Sequence, residues 1–243
     1  MRRLGLNDEV SENKMMQIGS LSLPVIAIVA LATAFGQQYP PPYPRPNTTK
    51  RLENERVIVW EVTWPKNQPT PLHEHPYDQF SVTLVGGTVK VTRLGADPTV
   101  NHSTLGSVAF TPKGTIHVEE GMSDVPQQKI MLEIKPSAPA AGEATADFKI
   151  PPREGAMKVL ENERLIAWDI RWDSGFRVAP YFYRFDTVTV FIEPGLLHTV
   201  DEQGDIKEIG VKAGDVMYAA RSPEAHSEQA VRGSPRAIVI ELK

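Results

Sequence analysis

The apolar positions of this chain fall in short runs, not in stripes. Val57 to Trp64 (Val-Ile-Val-Trp-Glu-Val-Thr-Trp) is β-branched and aromatic. Val82–Val85, Thr88–Thr92, Ser107–Thr111 and Ile130–Ile134 are similar runs, set apart by segments rich in Gly and Pro. β-branched and aromatic residues suit a pleated, half-buried surface. No segment repeats its apolar residues at helical spacing. The pattern predicts an all-β chain of short strands, a sandwich or small barrel. Gly86-Gly87, lying between two expected strands, reads as a hairpin turn.

The pattern then recurs. Leu52-Glu53-Asn54-Glu55-Arg56-Val57-Ile58-Val59-Trp60-Glu61-Val62-Thr63-Trp64 returns 108 residues later as Leu160-Glu161-Asn162-Glu163-Arg164-Leu165-Ile166-Ala167-Trp168-Asp169-Ile170-Arg171-Trp172, with eight of 13 positions identical. Gly106–Phe110 returns as Gly214–Tyr218, and Lys129–Lys135 as Ala237–Lys243, at the same offset. One offset across three blocks implies a duplicated module instead of a short solenoid period. The expected modules are 51–137 and 154–243, joined by a small-residue linker over 138–153 that begins Ala138-Pro139-Ala140-Ala141-Gly142.

The N-terminus changes this picture at one end only. Leu21 to Phe35 is an apolar run of 15 residues. A membrane span needs about 20. The run suits the core of an export signal, with Ala32-Thr33-Ala34 or Ala34-Phe35-Gly36 as the small-x-small site. Residues 1–36 are therefore expected to be removed, leaving a protein that is periplasmic or secreted and has no membrane segment. Asp8, Glu9 and Glu12 are unusual ahead of such a run, and an uncleaved anchor is the other reading. Tyr39–Pro46 (Tyr-Pro-Pro-Pro-Tyr-Pro-Arg-Pro) is mostly proline, which has no backbone donor and a fixed φ, so 37–50 reads as an extended tether, with the fold beginning near Arg51.

The formal charge of −4 gives no footprint for nucleic acid. The absence of cysteine excludes disulfides, thiolate metal sites and a cysteine nucleophile. What chemistry remains lies in His73-Glu74-His75-Pro76-Tyr77-Asp78-Gln79. On a strand, residues i and i+2 share a face, so His73 and His75 can meet one metal ion. A third histidine, His117, follows the turn Pro112-Lys113-Gly114. Three imidazoles plus an oxygen suit a divalent transition metal, whether Fe, Mn, Ni, Cu or Zn, over Mg or Ca.

These residues resemble the cupin family. Its first motif, G-x5-H-x-H-x(3,4)-E-x6-G, is met by Asn67, His73, His75, Gln79 and Gly86; its second, G-x5-P-x-G-x2-H-x3-N, by Gly106, Pro112, Gly114, His117 and Gly121. Spacing matches throughout and three identities depart. Asn67 replaces a glycine, a mild change because Asn tolerates the left-handed region. Gly121 replaces an asparagine, with little expected consequence. Gln79 stands where the family has its ligating glutamate, so its amide brings an oxygen but no charge. The resemblance implies two tandem jelly-roll β-barrels, with a metal held in the first by His73, His75, His117 and Gln79. Asp78 is the substitute ligand if the strand bulges, and Asp78 or Glu119 is the candidate general base. The resemblance admits a small-molecule metalloenzyme of dioxygenase or isomerase type. It equally admits a bicupin that binds metal or a small ligand without catalysis. The expected partners are a small molecule and, through the second module, a second copy of the chain.

In the second module the offset carries His73 to Tyr181, His75 to Tyr183, Asp78 to Asp186 and Gln79 to Thr187, and His117 to His226 or Ala225. That module is expected to be structural, its tyrosines core. Trp60, Trp64, Trp168 and Trp172 are expected in barrel packing, and His102 and His198 in solvated loops.

Overall fold

A computed structural model describes residues 39–136 and 155–243. The expected export signal and the inter-module linker lie outside the described residues. Everything described is strand and connection: the fold is all-β, as the short apolar runs require.

In the first half the strands are β1 (Thr48–Glu53), β2 (Val57–Trp64), β3 (His73–Glu74), β4 (Asp78–Val85), β5 (Gly87–Arg93), β6 (Thr99–Ser103), β7 (Val108–Thr111), β8 (Ile116–Gly121) and β9 (Gln127–Ile134). They form a five-stranded sheet, β1-β2-β9-β4-β7, and a four-stranded sheet, β3-β8-β5-β6. Pairing within both is antiparallel. Alternation along β2 decides what goes where. Val57 and Val59 join one apolar cluster with Phe80, Val82, Ile130 and Leu132. Trp60, Val62 and Trp64 join another with Val89, Val91 and Met131 from both sheets. The second cluster lies between the two sheets, and the first lies on the outer face of the larger one.

Gly86-Gly87 is not a hairpin, contrary to the sequence expectation. β4 pairs with β7 and β9, whereas β5 pairs with β6 and β8, so the two strands belong to different sheets. A Cβ on Gly86 would lie 2.9 Å from the Ser103 carbonyl oxygen, so the chain turns this corner where no side chain fits.

The second half comprises β10 (Met157–Glu161), β11 (Leu165–Arg171), β12 (Tyr181–Tyr183), β13 (Asp186–Val200), β14 (Ile206–Val211), β15 (Val216–Ala219) and β16 (Ser222–Leu242). It forms one seven-stranded sheet, because β13 and β16 run without a break where the first half divides into β4/β5 and β8/β9. The register of the first half recurs. Lys50, Leu52 and Glu53 pair with Trp60, Val59 and Ile58; Lys158, Leu160 and Glu161 pair with Trp168, Ala167 and Ile166. The outer-face cluster is shared: Leu165, Ala167, Val188, Val190, Ile238 and Ile240 pack with the first-half residues named above.

The proline-rich segment bends at Pro42 and Pro44 and packs on the first half. Tyr43 is buried and stacks on Trp60 with ring centroids 5.2 Å apart. The Pro40 carbonyl accepts from Glu74 N–H and Arg45 N–H donates to Thr48 Oγ1, so the segment is held to the barrel, which its expectation as a tether did not include.

Candidate metal centre

β3 and β8 pair so that His73 lies directly opposite His117. His75 follows β3, its N–H donating to the Thr115 carbonyl and its carbonyl accepting from Gly114 N–H. These short-range pairings bring the three imidazoles together in T-shaped contacts, with centroids 4.7–5.2 Å apart. All three are buried, and one nitrogen from each lies within 4.8 Å of the others. Nε2 of His75 and Nε2 of His117 are 2.9 Å apart. Two donors on adjacent corners of a first-row metal, each about 2.0–2.1 Å from it, are separated by about 3 Å.

The protonation states fit a cation. His73 Nδ1 donates to the Pro71 carbonyl at 2.9 Å, which leaves Nε2 as a lone-pair acceptor aimed inward. That Nε2 is buried without a hydrogen-bond partner. An unmet buried polar atom costs about 1–3 kcal/mol, and one proton between His75 and His117 cannot also serve His73. A metal ion satisfies all three. Burial pushes every imidazole towards neutrality: His75 falls to about 3, helped by the neighbouring His117 and His73 charges, and His73 and His117 are also lowered. Neutral imidazole is the ligating form.

The remaining expected residues separate. Gln79 is buried on the inward face of β4 and donates from Nε2 to the Tyr43 hydroxyl at 3.2 Å, so its oxygen is the atom left to offer. Asp78, one residue earlier, is held elsewhere. One of its oxygens accepts from Lys113 N–H, and the other pairs with Arg164 of the second half at 3.0 Å. Alternation along β4 puts Asp78 and Gln79 on opposite faces, with Asp78 turned towards Lys113 and Arg164. Glu119 lies two residues beyond His117 and on the same face. It accepts from Trp64 Nε1 at 3.1 Å and lies 3.9 Å from Arg45 Nη2. Its charge opposes the lowering of His73 and His117.

Sequence reading missed several interior groups. Tyr43 and Arg45 arrive from the proline segment, which carries no periodic signal. Glu133 accepts from Trp60 Nε1 at 2.8 Å, and Lys129 is held below its ordinary value by burial. Their alternation with Ile130, Leu132 and Ile134 along β9 is a signal that was available. Gly121 also matters more than expected: a Cβ there would lie 2.5 Å from the Trp64 carbonyl oxygen. His102 and His198 are on strands β6 and β13, not in loops. They partner Thr88 and Glu208 and lie apart from the triad.

In the second half Tyr181 pairs with His226 as His73 pairs with His117, which selects His226 over Ala225. The His226 ring lies 4.3 Å from Tyr181 and 4.7 Å from Tyr183. Two phenols thus replace two imidazoles. Trp60, Trp64 and Trp172 are buried packing residues, and Trp168 and Trp172 border a cavity.

No protein-family model matches the chain, and no curated protein matches it by sequence. Solved structures do match in fold. AerE from Microcystis aeruginosa superposes with a TM-score of 0.59 at 13% identity, over 85% of this chain and 99% of its own. A cupin 2 conserved barrel domain protein from Leptotrichia buccalis gives 0.52 at 12%, over 81% and 88%. The salicylate 1,2-dioxygenase of Pseudaminobacter salicylatoxidans gives 0.55 at 13%, over 77% and 71%, and its gentisate adduct matches similarly. At these identities the likeness concerns the fold: this chain is built like cupin proteins.

Proposed function

We propose that the chain is a tandem pair of jelly-roll barrels whose first barrel holds one divalent transition metal ion and uses it on a small molecule. The observation that carries this reading is the convergence of three buried, neutral imidazoles on one point, with His73 Nε2 unmet by any protein group. His73, His75 and His117 would hold the ion, and the Gln79 amide oxygen would complete the set. Bound there, the ion would supply Lewis acidity to a substrate oxygen. The chain's own residues set the conditions. Trp64 fixes the Glu119 carboxylate, whose charge partly replaces the one that Gln79 lacks. Pro71 fixes the tautomer of His73, and the enclosing strands exclude water. The dioxygenase among the structural neighbours supports an oxygenase type of reaction over an isomerase type. The apolar run at Leu21–Phe35 supports export.

A second reading, binding without catalysis, is favoured by Tyr43. Its ring fills space beside Gln79 that a substrate would need. Two measurements separate the possibilities. Elemental analysis after gentle purification should find about one divalent metal per chain, and His73→Ala should lose it. A metal-free protein whose melting temperature does not rise on adding metal would defeat the metal site itself. Oxygen uptake and product formation with diketones, catechols and keto acids then test catalysis. Silence from the loaded protein, and from Tyr43→Ala, would leave only the binding reading standing.

A further inference from the structure

The second half encloses a cavity of about 740 Å³, within the range of small-molecule sites, about 300–1,000 Å³. Eight aromatic residues line it, among them Trp168, Trp172, Tyr181, Tyr183, Phe185 and Phe191. Its polar groups include two carboxylates, each anchored by an indole. Glu241 accepts from Trp168 Nε1 at 3.1 Å, and Glu228 from Trp172 Nε1 at 2.8 Å.

The first half shows what such a wall accepts. There, Trp60 bonds Glu133 just as Trp168 bonds Glu241, and Lys50 lies over the Trp60 ring as Lys158 lies over Trp168. The difference is the third partner. Trp60 is covered by the phenol ring of Tyr43, 5.2 Å away. Among the described residues no ring stacks on Trp168, and its face borders the cavity. The first half thus supplies from its own chain the kind of group for which the described residues of the second half leave room.

We propose that the second-half cavity is a binding site for a small, uncharged, hydroxyl-bearing aromatic molecule, a simple phenol, stacked on Trp168. Stacking against indole is a gain that a saturated ring of equal size does not have. Glu241 has a second oxygen to which a phenol can donate, since only one of its oxygens takes a protein hydrogen bond among the described residues. Carboxylate ligands are disfavoured by Glu241 and Glu228 inside the cavity; the lining arginine, Arg184, is exposed. Burial already holds Glu241 above its ordinary value, so a further negative charge beside it is costly. This site is independent of the histidine triad.

The test uses the full, metal-containing protein and three probes: p-cresol, salicylate and cyclohexanol. Binding is followed by tryptophan fluorescence and thermal shift. Saturable p-cresol binding is expected, with salicylate and cyclohexanol about tenfold weaker. Trp168→Leu and Thr189→Leu, at positions that flank Val239 on one wall of the cavity, should each weaken p-cresol about tenfold with metal content unchanged. His73→Ala should leave p-cresol binding intact. The proposal is overturned by an absence of saturable binding, by a preference for salicylate, or by equal affinity in either folded variant. It is also overturned if His73→Ala abolishes binding, because the ligand would then sit at the triad.

Discussion

Glu133 is inside the first half with one indole N–H as its hydrogen-bond partner, and burial raises its carboxyl above the ordinary value of 4.5. The folded state therefore holds this proton more tightly than the unfolded chain. Stability falls as pH rises from the unfolded carboxyl value through the raised one, and stays lower above it. Glu133→Gln keeps an acceptor for Trp60 and removes the charge. Its melting temperature should exceed the parent's at pH 7, with the gap closing as pH falls towards 4.5. An equal gap at both pH values would show that burial of the charge is not the cause. Gln79 makes the complementary case. A glutamate there adds a negative donor to three neutral ones, so Gln79→Glu should tighten metal binding about tenfold or more in competition with a chelator. Unchanged affinity would place residue 79 outside the metal's reach. The triad itself was legible because its logic is local: two histidines with strand spacing and a third after a Pro-x-Gly turn. The charges around it were less so. Asp78 and Gln79 are adjacent, and only the facing partners, Arg164 for one and Tyr43 for the other, decide which of them looks inward.

Between elements, sequence reading succeeded where period two was enough and failed where the chain turns a corner. β2 begins and ends as expected, Val57–Trp64, because both of its faces are apolar. The double glycine before β5 looked like a hairpin because hairpins and corners need the same residue. Choosing between them takes the non-local pairing of β4 with β9 and of β5 with β8, which no short window contains. Asn67 behaved as its side chain allows, with a φ of 58°. Gly121, at the end of β8, did not. Its O accepts from Asn67 N–H at 2.9 Å, and a Cβ would meet the Trp64 and Pro65 carbonyl oxygens at 2.5 and 2.6 Å. Because those neighbours are backbone, they cannot step aside. Gly121→Ala should cost about 1–3 kcal/mol, read as a lower urea midpoint at unchanged slope. A midpoint within error of the parent would mean that the β2–β3 connection moves freely and that the close approach is not structural.

At the scale of the molecule, the repeated Leu-Glu-Asn-Glu-Arg blocks act as reciprocal clasps. Asn54 Oδ1 accepts from the N–H groups of Arg56 and Val57, and Asn162 does the same for Arg164 and Leu165, so each block turns tightly and projects its arginine across the join. Arg56 donates to the Leu242 and Lys243 carbonyls and pairs with Asp186; Arg164 donates to the Ile134 and Lys135 carbonyls and pairs with Asp78. Beneath them the outer faces of the two large sheets share one apolar cluster, in which Phe80 and Ile240 are fully buried. If each half were stable on its own, burying that cluster would be incidental. Its composition argues otherwise, because separation would expose the Val, Ile and Leu rows of β2, β4, β9, β11, β13 and β16 together. Calorimetry should therefore show a single transition. Phe80→Ala in the first half should cost about 3–5 kcal/mol and Ile240→Ala in the second about 2–5 kcal/mol, each lowering that same transition. Metal bound in the first half should raise it for the whole chain, by linkage. Two transitions, only one of which moves with each variant or with metal, would mean that the halves fold apart and that the clasps merely dock them.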